Sequence, residues 1–306
     1  MTTQVDIRPL AKGDLDAVVA LDKKSAGSAR RGYFQRRLDS AIRWPKRHLQ
    51  IAAITDKGLV GFLLARLAGG EYGRPGAAVV LEAVGVDESA RHAGVGQKMV
   101  AALEQLMRAR SIASLVTQVD WHNHSMLRFL DAGKFALAPR RILERRVQRM
   151  PLPETDEEIE QVPPTVRVLR ESDYDQVVRI DGKITGQDRS EYLRRKFDEA
   201  LTESAITVSL VVEDDGFVVG FAMARVDLGD FGHVDATASL DTIGVDPGFA
   251  HKGFARALLT QMVDNLAALH VERLETEVAD DAFSLLVFLH RFGFRSSPRL
   301  VFQKST

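Results

Sequence analysis

At 306 residues, with 45% hydrophobic and 27% charged side chains, the chain has the length for two packed domains of about 150 residues and is too apolar for disorder. It contains no cysteine, which excludes disulfides, thiolate metal sites and a covalent cysteine-acyl intermediate. The net charge of −1 conceals an asymmetry, because residues 1–150 hold 25 Lys and Arg against 14 Asp and Glu, and residues 151–306 hold 16 against 28. Fields of +11 and −12 can hold two halves together or draw different ligands to each. The opening Met1 to Asp6 has no basic stretch leading into an apolar run, and no run of about 18 apolar residues occurs, so a soluble cytoplasmic protein with no membrane partner is expected.

In chain order, a short strand (Val5 to Pro9) precedes a helix whose apolar positions Leu15, Val18, Val19 and Leu21 recur at helical spacing. A second helix follows around Tyr33 to Ala41. Three strand candidates come next, Leu49 to Ile54, Leu59 to Leu67 and Ala78 to Val86, the first two joined as a hairpin. A glycine turn opens a long helix with Val100, Leu103 and Leu106 on one face. A strand (Ser114 to Val119), a helix (Ser125 to Leu130) and a last strand complete the unit, in the order βααβββαβαβ.

The same order then repeats. An offset of 159 residues aligns the two halves without a gap, with 40 of the 133 positions from Arg8 to Arg140 identical, against about one in sixteen expected from composition. The chain therefore divides into residues 1–150, a proline-rich acidic linker at 151–164, and residues 165–306.

The chemistry points to the turn before the long helix. In the first half, Leu81 to Val86 runs through Asp87 to Ala90 into Arg91-His92-Ala93-Gly94-Val95-Gly96. In the second, Leu240 to Val245 runs through Asp246 to Phe249 into Ala250-His251-Lys252-Gly253-Phe254-Ala255. Small residues here present backbone N–H groups at a helix N-terminus, where peptide dipoles favour an anion such as a pyrophosphate. A bare glycine turn is the bland alternative; its recurrence at one offset argues for the anion.

The pattern resembles the GCN5-related N-acetyltransferase (GNAT) family, whose acetyl-CoA signature Gln/Arg-x-x-Gly-x-Gly/Ala follows the fourth strand. The first half matches through Arg91, Gly94 and Gly96, and the second through Gly253 and Ala255, with Ala250 where Gln or Arg is usual. The resemblance spans nearly all of both units. It implies an α/β (α+β) fold of two tandem domains, each a mixed, mostly antiparallel sheet flanked by helices, together forming an intramolecular pseudo-dimer. It further implies a V-shaped opening between the fourth and fifth strands, with pantetheine along Val84-Gly85-Val86 and Ile243-Gly244-Val245, and acetyl-CoA as cosubstrate. The turns Arg91 to Gly96 and His251 to Ala255, with Asn123, would bind it. An amine, on a small molecule or a peptide, would attack the thioester directly in a ternary complex.

A protonated amine cannot attack, so a base is useful at neutral pH. Glu82 and Asp241 stand where several members of the family carry such a carboxylate; a solvent-facing or arginine-paired carboxylate is the alternative. The tyrosine that commonly protonates the leaving thiolate is replaced by Leu130 and Leu289. Asp22, Arg30, Tyr33 and Arg36 recur as Asp181, Arg189, Tyr192 and Arg195. Either they orient an acceptor or they form one structural ion pair twice. His122-x-His124 lacks the partners of a metal site. The run Arg140, Arg141, Arg145, Arg146 and Arg149 lacks the interleaved aromatics of a nucleic-acid surface and reads as a solvated strand face. Two functions remain open, an N-acetyltransferase and a CoA-binding sensor or scaffold with one or both sites inactive.

Overall fold

The computed structural model describes residues 4–26, 30–74, 76–91, 93–148, 164–203, 208–227 and 236–306. The first half contains β1 (Asp6–Pro9), α1 (Leu15–Ala26), α2 (Arg31–Arg43), β2 (His48–Thr55), β3 (Gly58–Gly69), β4 (Ala77–Val86), α3 (Val95–Arg108), β5 (Ser114–Asp120), α4 (His124–Ala132) and β6 (Ala136–Arg146). The second contains β7 (Thr165–Val168), α5 (Tyr174–Thr185), α6 (Ser190–Asp198), β8 (Leu210–Asp214), β9 (Phe217–Asp227), β10 (Thr237–Val245), α7 (Phe254–Ala268), β11 (Arg273–Ala279), α8 (Phe283–Arg291) and β12 (Arg295–Ser305). This is the βααβββαβαβ order read from the sequence, twice. Residues 149–163, with Arg149 and most of the acidic linker, lie outside the described residues.

Apolar periodicity sets which face each helix covers. Leu15, Val18 and Leu21 of α1 and Phe34 and Leu38 of α2 pack with Phe62 and Leu64 on one face of the sheet. Met99, Leu103 and Met107 of α3, spaced by four residues, pack with Leu63, Ala65 and Leu81 on the other. The second half repeats this, with α5 and α6 on one face and α7 and α8 on the other. Just before α1, the Asp14 carboxylate takes the Ala11 N–H at 2.7 Å and the Arg8 guanidinium at 2.7 Å; Asp173, Arg170 and Arg167 do the same before α5. That carboxylate satisfies a helix-entry donor, which is why it recurs.

Among the described residues, twelve strands join one sheet, in the order β1-β2-β3-β4-β5-β12-β6-β11-β10-β9-β8-β7. The two halves have exchanged their last strands. β12 runs antiparallel to β5 of the first half, Arg299 to Ser305 against Asp120 to Ser114, and β6 runs antiparallel to β11 of the second, Arg140 to Arg146 against Ala279 to Arg273. β6 and β12 also pair with each other, so neither half completes its own sheet.

The exchange sets arginines of the basic half against carboxylates of the acidic half. Arg140 bonds Glu277, Arg141 bonds Asp280 at 2.8 Å, and Arg74 bonds Glu277 at 2.5 Å. The basic run is therefore a solvated face only in part, at the exposed Arg141 and Arg146. The side chains of Arg140 and Arg145 are largely buried, the latter with its guanidinium 4.8 Å from the Phe292 ring, because β6 lies beside an acidic strand of the other half. Residues 1–150 and 165–306 made as separate chains are accordingly expected to self-associate through the edges of β5 and β11 when alone. Mixed, they should form a one-to-one complex with a single unfolding transition, read by light scattering and thermal denaturation. Two monomers whose melting is unchanged on mixing would contradict the exchange.

Candidate active site

Two clefts form where parallel strands part. β4 pairs with β5 only over Ala78 to Val80, and β10 with β11 only over Thr237 to Ser239. Immediately beyond, each strand carries one extra residue relative to its antiparallel neighbour: Glu82 is inserted between Leu81 and Ala83 opposite β3, and Asp241 between Leu240 and Thr242 opposite β9. A bulge bends and twists its strand, which turns Val84-Gly85-Val86 away from β5 and Ile243-Gly244-Val245 away from β11. At each mouth a threonine hydroxyl closes the last carbonyl: Thr117 Oγ1 donates to Leu81 O at 2.8 Å and Thr276 Oγ1 to Leu240 O at 2.8 Å. These threonines were not singled out in the sequence, although they are among its repeated identities.

The turn after each cleft is built the same way twice. Asp87 accepts the Ser89 N–H at 3.0 Å and the Lys24 ammonium at 3.2 Å; Asp246 accepts the Gly248 N–H at 3.1 Å and the Lys183 ammonium at 2.7 Å. The hydrogen bonds from the Ser89 side chain and backbone, with Lys24, hold the Asp87 carboxyl down at about 2. Gly94 (φ 73°) and Gly253 (φ 81°) then cap α3 and α7 in the left-handed region, where a side chain is strained even though a Cβ at either position would meet nothing within 4 Å. The first N–H groups to find helical acceptors are those of Lys98, to Gly94 O, and Ala257, to Gly253 O, each at 3.0 Å. The donors before them, on Val95, Gly96, Phe254 and Ala255, have no acceptor within their helices and point with the helix dipole. That donor set fits a diphosphate.

Around this turn, Arg91 is exposed and 3.3 Å from Glu88, and Ala93 is exposed. Val95 and Phe254 are buried anchors of their helices. His251 takes a left-handed φ of 64°, and Lys252 lies 5.0 Å from the Phe249 ring and 3.9 Å from Asp214. His92 lies outside the described residues. Asn123 caps α4, its side-chain oxygen accepting from Met126 N at 3.1 Å and Ser125 Oγ at 2.9 Å; Ala282 at the start of α8 makes no such cap.

Glu82 and Asp241 are both buried, with 4% and 3% exposure. One oxygen of Glu82 meets Arg66 Nε at 2.7 Å and Arg37 Nη2 at 3.0 Å. Asp241 meets Lys196 Nζ at 2.9 Å and Arg225 Nε at 3.6 Å. Burial opposes a charge on Lys196, yet Asp241, Glu199 and Glu71 outweigh it and hold its ammonium above the ordinary lysine range. Both bulge carboxylates are thus arginine- or lysine-paired and lie on the α2 or α6 side of the sheet. Leu130 and Leu289, at the position of the family's tyrosine, are buried in the cores beneath α4 and α8. Arg30 bonds Asp22 at 2.5 Å and Arg189 bonds Asp181 at 2.9 Å, the same structural ion pair formed twice.

One contact at the second cleft was not revealed by the sequence; the equivalent residues 230–232 of the second half lie outside the described residues. The turn Glu71–Gly73 of the first half packs over β10 and β11 of the second, where those strands part. Arg189 donates to Gly70 O at 2.6 Å, Arg195 to Gly69 O, and Arg140 to Tyr72 O at 2.5 Å. Burial and then Asp241 push the Tyr72 phenol up. Gly70 has φ 85°, and a Cβ there would stand 2.6 Å from the Tyr192 ring. Gly70→Ala should therefore cost about 1–3 kcal/mol and loosen this turn. Denaturant unfolding and protease cutting at Arg74 test it; unchanged stability and cutting would show that the turn is not held there.

A family model described as "Acetyltransferase (GNAT) family" matches residues 16–133 and 173–294. Among solved structures, a GCN5-related N-acetyltransferase from Sphaerobacter thermophilus is 16% identical with TM-score 0.65, covering 98% of this chain and 95% of that one. A tandem GNAT protein from the clavulanic acid biosynthesis pathway is 14% identical with TM-score 0.65, over 99% and 98%. An N-myristoyltransferase of Saccharomyces cerevisiae is 14% identical with TM-score 0.62, over 98% and 79%. At these identities the structures share the fold.

Proposed function

Because this chain belongs to the acetyltransferase (GNAT) family, whose family model matches both halves, we propose that it moves an acetyl group from acetyl-CoA to a primary amine on a small molecule or peptide. The observation that carries the reading is the repeated pairing of a parted strand pair with a glycine-capped helix, Gly94 before α3 and Gly253 before α7. The N–H groups of residues 94–96 and 253–255 would take the diphosphate, with Arg91 and Lys252 adding charge. The free edges of Val84-Gly85-Val86 and Ile243-Gly244-Val245 would take the pantetheine amides. The neutral amine nitrogen then bonds the acetyl carbon, the carbon–sulfur bond breaks, and CoA leaves as a thiol or thiolate with a pKa near ~8.5. Glu82 and Asp241 are the proposed acceptors of the amine's proton. Residues 1–150 and 165–306 are proposed as the two units, joined as an intramolecular pseudo-dimer.

A panel of amines incubated with the full chain and acetyl-CoA, read by thiol release and by mass of the product, tests the assignment. No acetylated product from any amine class would favour the second reading, a CoA-binding protein without turnover. If only the first half turns over, Gly253→Glu should leave thiol release intact while Gly94→Glu removes it.

A further inference from the structure

On the face of the sheet away from α3 and α7, a cavity of about 180 Å³ lies between the halves. It straddles the internal twofold, because its wall includes the equivalent pairs Arg66 and Arg225, Leu67 and Val226, and Ser40 and Glu199, each 159 residues apart. Five guanidinium groups border it: Arg37 from α2, Arg47 at the entry to β2, Arg66 from β3, Arg195 from α6 and Arg225 from β9. His48 completes the wall, and Glu199 is its one acidic member among the described residues. Each of the five arginines already meets a carboxylate, Arg37 and Arg66 at Glu82, Arg225 at Asp241, Arg66 at 3.4 Å and Arg195 at 3.9 Å from Glu71, and Arg47 at 3.9 Å from Asp198, while Lys196 holds Glu199 at 2.8 Å, so an anion would join an existing network of charges.

We propose that this cavity is a binding site for a small multivalent oxyanion, a phosphate or a di- or tricarboxylate, distinct from the CoA turns on the opposite face. The volume exceeds that of several waters, at ~30 Å³ each. Guanidinium is the donor that matches oxyanions two bonds at a time and keeps its charge when half-buried. An anion here draws on Arg66 and Arg225, the groups that also hold the two bulge carboxylates, so the site is coupled to both clefts.

His48 reports on occupancy. Burial, and then the charges of Arg37, Arg66 and Arg47 against the single opposing charge of Glu199, hold its imidazole down at about 4. With a folded value below the unfolded ~6.5, His48 supports stability above that pH, and this support is lost as pH falls from ~6.5 to about 4. A bound anion reverses part of the field and moves the titration upward.

The test uses the full chain labelled at its eight histidines, with His48→Gln to assign the resonance, titrated with inorganic phosphate and with citrate. Saturable binding of either anion, an upward shift of the His48 titration, and a loss of roughly tenfold or more in affinity for Arg47→Ala and for Arg225→Gln are expected. The tighter anion identifies the class. No saturation with either, an unmoved His48 titration, or unchanged affinity in both variants would overturn the site. Loss of anion binding in the Gly94→Glu and Gly253→Glu double variant would also overturn it, by placing the anion at the helix turns. Arg47, its side chain 29% exposed, is the most exposed of the five arginines, so Arg47→Ala is the variant expected to disturb the fold least.

Discussion

Glu82→Gln is expected to lower stability by about 3–5 kcal/mol, because it leaves Arg66 and Arg37 facing a neutral amide in a buried setting. Asp241→Asn should cost somewhat less, since Lys196, only 3% exposed, loses the carboxylate at 2.9 Å but keeps Glu199 at 2.8 Å. For a chain of 306 residues 3 kcal/mol corresponds to a melting shift of roughly 5 °C. The same variants bear on chemistry, and a choice of acceptor separates the two effects. An amine that is already neutral at the assay pH needs no proton acceptor before attack. If Glu82 takes the ammonium proton, Glu82→Gln should lose transfer to strongly basic amines while keeping most transfer to weakly basic ones. Equal loss with both would assign the carboxylate a purely structural role in setting the bulge.

Gly94→Glu is the second large effect. The left-handed φ of 73° costs any side chain about 1–2 kcal/mol, and a carboxylate at the helix N-terminus repels the ligand diphosphate that the dipole otherwise attracts. The strain lowers stability with or without ligand, whereas the misplaced carboxylate at the turn is expected to lower CoA affinity at that site roughly 100-fold, about 2.8 kcal/mol. Gly94→Ala separates the parts, because it brings the strain without the charge and should lose roughly tenfold or less. Equal affinity for glycine, alanine and glutamate would mean that the turn does not contact the cofactor.

Much of this architecture was legible in the sequence because it rests on local periodicity and on repetition. Leu15, Val18 and Leu21 mark α1 by spacing, and the 159-residue offset carries the cofactor turn to its second copy. The parting of the strands was expected only through resemblance, since the bulges at Glu82 and Asp241 leave no local signal: a carboxylate inserted in a strand reads like any polar residue. The strand exchange was invisible for a different reason. β6 and β12 are equivalent by the offset, so either could complete either half, and periodicity does not choose between an internal and an exchanged partner. The opposite charges of the halves were the available clue, with Arg140 and Arg141 of β6 answering Glu277 and Asp280. Glu71–Gly73 reaches the second cleft through long-range packing against Tyr192, which no window of sequence contains.

Calorimetric titration of the full chain with acetyl-CoA tests the central claim most directly, because it counts sites as well as measuring affinity. Two molecules should bind per chain, one in each of Gly94→Glu and Gly253→Glu, and none at comparable concentration in the double variant. A double variant that binds acetyl-CoA as the unaltered chain does would contradict the claim that these two turns are the cofactor sites.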